Sequence, residues 1–220
     1  MNSVIEHINQ VCQDVRLQSC DPLSFKQLVA KTRLSFKKYE FDISVKTKKD
    51  KNLSVDEFYV NAYYDPEEDE QSETPVEVII HHNFNNNEQF NKEHITEFLI
   101  EIFDAVVHEY KHRQQSIKRH YIQYVDPVES PFEDYLADPD ELDAYALSIA
   151  IELTRTIGVL RAKRNLARIS VLSKMRQGAR YISPNLRAYI AHFGLSTVTK
   201  KLAKKVYKHL NTLDKSQLFV

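Results

Sequence analysis

The sequence is poor in glycine, with three in 220 residues, and it contains no tryptophan. The glycines Gly158, Gly178 and Gly194 all stand in the last third of the chain. Few positions can therefore adopt a left-handed backbone at no steric cost, so tight-turn β architectures are disfavoured and long helices are expected. With 42% hydrophobic and 28% charged residues, the composition is otherwise that of a globular protein.

Cysteines and long apolar runs are also scarce. Cys12 and Cys20 are too few for a disulfide framework and lack the spacing of a thiolate metal site, so we expect reduced thiols. The first residues carry Glu6 and Asp14 and have neither the basic region nor the apolar run of a signal peptide. No later stretch is long enough to span a bilayer. These features predict a cytoplasmic protein with no membrane partner.

Acidic residues are missing from one long stretch, residues 154–213. Residues 1–153 hold 15 basic and 30 acidic side chains, a net charge of −15, whereas residues 154–220 hold 15 basic side chains and only Asp214, a net charge of +14. This asymmetry predicts two parts, a domain over residues 1–153 and a basic helical extension over residues 154–220 packed on it.

The residue pattern predicts an α+β fold. Helices are expected over residues 3–17 and 22–33, the second with Asp21 as cap and Pro22 at its first position. Three β-like runs follow, at 35–45, 57–64 and 75–82, and together they predict a small three-stranded sheet. The acidic connector 65–73 is expected to be a solvated, mobile loop, and residues 83–91 a turn-rich approach to the next helix.

A long amphipathic helix is expected over residues 91–119. Its apolar positions recur every three or four residues, at Ile95, Phe98, Leu99, Ile102, Phe103, Val106, Val107 and Tyr110. After an irregular segment, a further helix is expected to begin with Asp138 as cap and Pro139 at its first position. Residues 159–212 are expected to form helices broken near 178–184 and at Gly194.

The motif VVHEYKHRQQ, residues 106–115, carries the chemistry. His108 and His112 are four residues apart and so fall on one margin of the helix, where both imidazoles can bind one Zn²⁺. Zinc lowers the pKa of its water to near 7, and Glu109 can take the proton as the water attacks a polarised carbonyl. The alternative is a pair of solvated histidines on an ordinary charged helix.

A catalytic zinc needs a third protein ligand and an open position. The segment HEYKHRQQSIKRH has no glycine and its next histidine is His120, which disfavours the HExxHxxGxxH pattern. Glu141, in ELDA at the start of the next helix, can supply the ligand, with a small residue three positions later that allows close helix packing. It also stands three residues after Asp138 and could instead complete a capping box, with Asp138 and Asp143 as substitute ligands.

The sequence at this point resembles the zincin metallopeptidases of the gluzincin type, in which HExxH on one helix is completed by a Glu, often in ExxA, on the next. The resemblance covers about residues 57–153 and rests on four residues. It implies a zincin-like fold, His108, His112 and Glu141 as zinc ligands, Glu109 as general base, and the strand VEVIIHH along the substrate cleft. The segments VHEYKHRQQ and YLADPDELDAYA also resemble segments of small phage-encoded proteins regarded as metallopeptidases. If the protein is encoded by a phage, its expected location is the host cytoplasm.

Further candidates are less specific. The oxyanion of a tetrahedral intermediate needs a donor, and residues close in sequence that could supply one are Tyr121, Tyr124, Tyr135, Tyr145 and His120. Of His81 and His82, at most one can face the site, because adjacent residues of a strand point to opposite faces. Asp104, one turn before His108, could orient that imidazole or be an exposed helix carboxylate.

The basic last third admits three interpretations. Its helices could pack on the acidic part, bind the phosphates of a nucleic acid, or lie on an anionic membrane, the last being disfavoured by the lack of Trp. Candidate nucleic-acid contacts are Arg161, Lys163, Arg164, Arg168, Lys200, Lys201, Lys204 and Lys205.

The sequence therefore predicts a zinc-dependent metallopeptidase that hydrolyses protein or peptide substrates through a metal-activated water, with Glu109 as general base. The alternative is a nucleic-acid-binding or scaffold protein on a zincin-like fold with a structural or inactive metal site. A third interpretation is a helical interaction protein without metal. Glu109 distinguishes the peptidase from the protein with a structural metal site, because a purely structural site does not need a general base.

Overall fold

The computed structural model describes residues 1–19, 22–55, 57–71, 74–85, 88–122, 131–168, 183–213 and 218–219. Within these ranges the protein is α+β and mostly helical, as predicted. The helices are α1 (Asn2–Gln18), α2 (Phe25–Lys38), α3 (Pro66–Glu70), α4 (Lys92–Lys118), α5 (Phe132–Ala137), α6 (Pro139–Ile157), α7 (Val159–Ala167), α8 (Pro184–Phe193) and α9 (Thr197–Leu210). The strands are β1 (Leu23–Ser24), β2 (Ile43–Lys49), β3 (Phe58–Tyr64), β4 (Val76–His82) and β5 (Gln89–Phe90).

The chain forms two compact units. The first contains residues 3–121 together with Met1 and Phe219, and the second is drawn from residues 122–218. The boundary that the charge asymmetry suggested, after residue 153, falls inside α6. None of the helices that the structure describes is long and apolar enough to cross a membrane.

The first unit is built on a mixed sheet of three strands in the order β2-β4-β3. Strand β2 is parallel to β4, from Ile43 opposite Val76 to Lys49 opposite His82. Strand β3 is antiparallel to β4 and joins it through α3. Val76, Val78 and Ile80 alternate along the central strand and are fully buried, so one face of the sheet belongs to the core.

Helix α4 supplies the other half of that core. It contacts both β3 and β4, and all eight apolar side chains predicted to form its inner face are buried. Asn91 caps its first turn by accepting from the backbone N–H of His94. From α1, the Cys12 thiol lies 3.7 Å from the carbonyl oxygen of Leu99. The predicted long helix is therefore confirmed.

The second helix begins and ends later than the sequence suggested. Its cap is Ser24, which forms a capping box with Gln27, and not Asp21 followed by Pro22. The helix continues to Lys38, so the first half of the predicted strand 35–45 is wrong. Ser35 and Phe36 are buried on the helical face of α2. The strand that forms, β2, begins at Ile43.

The acidic connector also differs from the prediction, because residues 66–70 form α3 with Asp65 as cap. Asp69 is only 8% exposed. Its carboxylate accepts two hydrogen bonds from the guanidinium of Arg113, at 2.8 and 3.1 Å, and one from the Tyr64 hydroxyl at 3.0 Å. This bidentate pair fixes α3 to the helix turn that carries His112.

Two helices end with a non-glycine residue in the left-handed conformation. Glu40 after α2 has φ 55° and His120 after α4 has φ 54°. In each case the next residue donates its N–H back to the helix, Phe41 to Phe36 and Tyr121 to Ser116, as in a Schellman motif. The scarcity of glycine therefore does not prevent such turns, at a cost of about 1 kcal/mol each.

The two edge strands of the sheet each offer an outward backbone group to a helix side chain. The N–H of Val60 in β3 donates to the carboxylate of Glu101 on α4, at 3.1 Å. The carbonyl oxygen of Val45 in β2 accepts from the guanidinium of Arg33 on α2, at 2.8 Å. Burial raises the pKa of Glu101 to about 6, and the charges of Asp104 and Glu97 act in the same direction.

The second unit is helical in the part that the structure describes. Helix α6 carries a nearly continuous buried surface from Leu142 to Thr154, and α7, α8 and α9 contact it. Asp143 on α6 binds His209 at 3.1 Å and Lys205 at 3.5 Å, both on α9. Positive φ angles at Gly158 and Gly194 separate α6 from α7 and α8 from α9.

We expect Glu101→Gln to stabilise the protein at pH 7.5 by about 1 kcal/mol. The folded-state pKa lies above the ordinary 4.5, so the contribution of Glu101 is fully present below that pH and is lost as pH rises through about 6. Gln keeps an acceptor for Val60 and has no charge to bury. Chemical denaturation between pH 4 and 8 should show a flatter curve for Glu101→Gln and an unchanged one for the exposed control Glu70→Gln. A variant that follows the native curve would contradict this account.

Candidate metal centre

The predicted histidine ligands lie at the margin of the buried face of α4. His108 and His112 are half-buried, whereas Val106, Val107 and Tyr110 are fully or almost fully buried. A separation of four residues places the two side chains one above the other on successive turns. The position at the margin follows from the apolar period of the helix.

The Nε2 atoms of the two imidazole rings lie close together. Their Nε2 atoms are 3.1 Å apart and the rings are inclined at 66°. Two nitrogens at this distance cannot both direct a proton at the other, so at least one presents a lone pair. Two nitrogens of a tetrahedral zinc site, each about 2.05 Å from the metal, are about 3.3 Å apart, so the observed spacing is close to that of a chelating pair.

Glu141 occupies the third position of α6, with only 8% of its surface exposed. Asp138 is the cap of this helix, as predicted, and its side chain accepts from the N–H groups of Asp140 and Glu141. The backbone N–H of Asp138, which a capping box would give to the Glu141 carboxylate, donates to the carbonyl oxygen of Tyr135 at 3.1 Å. The geometry therefore favours the ligand interpretation of Glu141 over the capping one.

His108, His112 and Glu141 form a cluster that could hold a metal ion. One ligand atom from each lies within 4.8 Å of the ligand atoms of the other two. Two imidazoles and a carboxylate are a donor set of catalytic zinc sites, which leave the fourth position for water or substrate. The chemistry of the donors therefore fits zinc, although the same ligands bind other divalent transition metals.

Glu109 lies between the two histidines in sequence and is 9% exposed. It turns about 100° from His108 around the helix, toward the buried stripe. A buried carboxylate has fewer accessible rotamers than an exposed one. The role of Glu109 as general base stays a prediction.

The candidate oxyanion donors are spread over both units. Tyr121 is half-buried at the end of α4 and has φ 64°, and His120 beside it is exposed. Tyr135 and Tyr145 are half-buried in the second unit, and the Tyr145 ring lies 5.3 Å from that of Tyr189. Tyr124 lies outside the described residues. That one of these groups faces a substrate carbonyl stays a prediction.

His81 and His82 are structural residues of the sheet. His82 packs against Phe25 with ring centroids 4.4 Å apart, and its Nδ1 accepts from the N–H of Phe84 at 3.2 Å. Burial, and next the charge of Lys49, lower the pKa of His82. His81 stacks on Tyr59, at 4.5 Å and 6° between the rings. Both histidines are thus occupied in ring packing.

A cavity of about 430 Å³ lies in the second unit, one helical turn along α6 from Glu141. Its walls are mainly apolar and aromatic and include Phe132, Leu136, Tyr145, Ala188, Tyr189 and His192. The Tyr189 hydroxyl donates to the carbonyl oxygen of Leu136, so this wall is internally satisfied. Burial, and next the charges of Tyr145 and Glu141, raise the pKa of Tyr189.

The predicted basic contacts fall on α7 and α9 of the second unit. Lys163 and Lys205 are half-buried, and Lys205 is used internally: its ammonium donates to the carbonyl oxygen of Pro139 and pairs with Asp143. The other six are exposed, namely Arg161, Arg164, Arg168, Lys200, Lys201 and Lys204.

Two side-chain contacts, one within each unit, could not be found from the sequence. Asp69 and Arg113 are 44 residues apart, and Asp143 and His209 are 66 apart, so no local pattern joins them. Asp69 also stands within a run of acidic residues that is typical of a solvated loop. Only the fold shows which carboxylate of that run is buried.

The chain matches no protein-family model, no curated protein and no solved structure. The zincin-like architecture therefore stays a prediction, while the α+β class and the cluster of His108, His112 and Glu141 are features of the structure.

We expect the protein, purified without added metal and without a polyhistidine tag, to carry about one divalent transition metal per chain. His112→Ala removes one of three ligands and should lower the metal content at least tenfold, because three donors hold a metal far better than two. Mass spectrometry of the metal measures this. His94→Ala, an exposed histidine on the same helix, is the matched control and should keep the metal. A native chain that neither carries nor takes up zinc would contradict the expectation.

Proposed function

We propose that the protein is a zinc-dependent peptidase in which His108, His112 and Glu141 bind the metal and Glu109 is the general base. The observation that carries the proposal is the convergence of two imidazoles and a buried carboxylate within 4.8 Å, with Glu109 directly after the first histidine. A structural zinc site normally has four protein ligands, whereas a catalytic one has three and leaves the fourth position for water. Among the residues that the structure describes, the cluster has three, which favours a catalytic site.

The metal and the protein side chains would have separate roles in the reaction. A bound zinc ion would act as a Lewis acid toward a peptide carbonyl and lower the pKa of a water molecule. The Glu109 carboxylate would accept one proton from a water molecule as the oxygen of that water adds to the carbonyl carbon of the substrate. Glu109 would then give this proton to the amide nitrogen as the C–N bond breaks. The second proton of the water passes from the new carboxyl group to the released amine, so the products are a carboxylate and an ammonium group.

The shielding of Glu109 supports its role. A carboxylate that is 9% exposed lies in surroundings of lower effective dielectric constant than water. Nearby charges therefore have a larger effect on the free energy of proton transfer to and from this carboxylate. Its backbone belongs to a helix of 27 residues anchored by a buried face, so the position of its Cα atom does not depend on a substrate.

The cavity in the second unit is the proposed site for a substrate side chain. Tyr145 in its wall follows Glu141 by one turn of α6, and the walls are mainly apolar. A volume of about 430 Å³ can hold a bulky aliphatic or aromatic group. We therefore propose a preference for peptides with a large apolar residue beside the cleaved bond.

Glu109→Gln should keep the metal and lose between 10²- and 10⁴-fold in kcat, because Gln is similar in size but cannot accept the proton. The assay digests a denatured protein mixture in H₂¹⁸O and detects new C-termini that carry ¹⁸O by mass spectrometry. The exposed Glu97→Gln on the same helix should behave as the native chain. Full activity of Glu109→Gln, with metal bound, would remove the general-base role.

Ala188→Phe should narrow the cavity and reduce cleavage next to large apolar residues about tenfold or more, relative to cleavage next to small ones. Ala188 is an exposed residue in the wall of the cavity, so the larger ring can enter it without disturbing the core. Ala30→Phe, at an exposed helix position of the first unit, is the control. The cleavage profile from the same mass-spectrometric assay measures the effect, and an unchanged profile at equal metal content would argue against this subsite.

A further inference from the structure

Three arginines form a stripe along α7. Arg161, Arg164 and Arg168 are all exposed, and their spacing of three and then four residues places them within an arc of about 60°. The buried residues of the helix, Ala162 and Leu166, lie on the opposite side. The stripe therefore faces solvent along its full length of about 10 Å.

Helix α9 repeats the arrangement forty residues later. Lys201, Lys204 and Lys208 are exposed and have the same spacing. Leu202 and Val206, at the positions that correspond to the buried pair of α7, are fully buried. Each helix is thus anchored by one face and presents three cations on the other.

The two helices contact each other. The ammonium of Lys163 on α7 lies 5.4 Å from the ring centroid of Tyr207 on α9, a cation–π contact. Arg164 directly follows Lys163, and Lys208 directly follows Tyr207, so one member of each stripe adjoins this contact. The stripes are therefore on adjoining helices of a single unit.

No counter-charge accompanies the stripes. In the part of the chain that the structure describes, none of the six cations takes part in an ion pair, and the sequence has no acidic residue between 154 and 213. Lys205, which pairs with Asp143 at 3.5 Å, lies outside the stripes. Intramolecular charge balance therefore does not account for these six positions.

We propose that the stripes on α7 and α9 bind the phosphate backbone of double-helical nucleic acid without reading its sequence. A duplex carries one negative charge per about 1.7 Å of its axis, so a cationic stripe of about 10 Å can meet several phosphates. Point contacts from Lys and Arg to phosphate position a protein but carry no sequence information. The six cations release counterions on binding, which supplies the free energy.

An anionic membrane is the less suitable partner for this surface. A helix that lies on a membrane inserts its apolar face among the lipid chains, and its cations flank that face. On α7 and α9 the apolar pairs opposite the stripes are buried in the protein. The charge that remains exposed suits a rigid polyanion better than a lipid surface.

The test is the salt dependence of binding to a fluorescent 24-base-pair DNA duplex, measured by anisotropy on the whole protein. Six phosphate contacts predict a slope of log K against log salt of up to about −5, and a loss of affinity of about 10³-fold between 50 and 200 mM salt. Each triple variant, Arg161→Gln with Arg164→Gln and Arg168→Gln, or Lys201→Gln with Lys204→Gln and Lys208→Gln, should reduce the slope by about 2 to 3.

The control removes the same charge elsewhere. Lys26→Gln with Lys37→Gln and Lys51→Gln takes three exposed cations from the first unit and should leave the slope unchanged. Metal content and thermal unfolding show whether each triple variant is folded, since all six stripe residues lie on the surface. The single-residue variants Arg164→Gln and Lys204→Gln, each expected to lower the slope by about 1, keep the test valid if a triple variant unfolds.

The outcomes separate the explanations. The proposal is supported if scrambled duplexes bind equally well and if the steep slope of log K against log salt becomes shallower in both stripe variants. Binding of duplex RNA with a similarly steep slope would support the same phosphate chemistry. A slope near zero, equal losses in the control variant, or tighter stripe-dependent binding to phosphatidylglycerol vesicles than to duplex would overturn it. None of these outcomes depends on peptidase activity, so Glu109→Gln should bind DNA as the native chain does.

Discussion

The helical period of α4 is the constraint on which the candidate site depends. Eight apolar side chains recur at three- and four-residue intervals and must all be buried against the sheet and α1, and this fixes the rotation of the helix about its own axis. His108 and His112 then have no freedom in where they lie: they stand at the edge of the buried stripe, with Nε2 atoms 3.1 Å apart. The placement of the two histidines is thus a consequence of core packing.

Elements with a strong local signal could be predicted from the sequence. The period of α4, the Asp138–Pro139 start of α6 and the strands β3 and β4 agree with the structure within one or two residues. The HExxH motif predicted the positions of His108 and His112 for the same reason, because it is a local pattern whose geometry follows from the helix alone. Glu141 was open to two interpretations because its role depends on whether another group satisfies the N–H of Asp138, and that group is the carbonyl of Tyr135.

Predictions failed where a local signal competed with a contact distant in sequence. Residues 35–45 are rich in β-formers, yet their first part continues α2 because Ser35 and Phe36 complete its buried face. The run 65–73 has the composition of a loop, yet Asp65 caps a short helix within it and Arg113 binds the buried Asp69 of that helix. The scarcity of glycine was a weak guide to turns, since Glu40 and His120 accept left-handed conformations that two backbone hydrogen bonds stabilise.

Glu101 and Arg33 also bear on how the sheet behaves toward other molecules of the same protein. An edge strand presents unpaired N–H and C=O groups to which a strand of another chain can add. In β3 the outward N–H of Val60 is already bonded to a carboxylate, and in β2 the carbonyl of Val45 is already bonded to a guanidinium. An incoming strand would have to displace a charged group at this one position of either edge, so Glu101 and Arg33 each oppose the addition of a strand there.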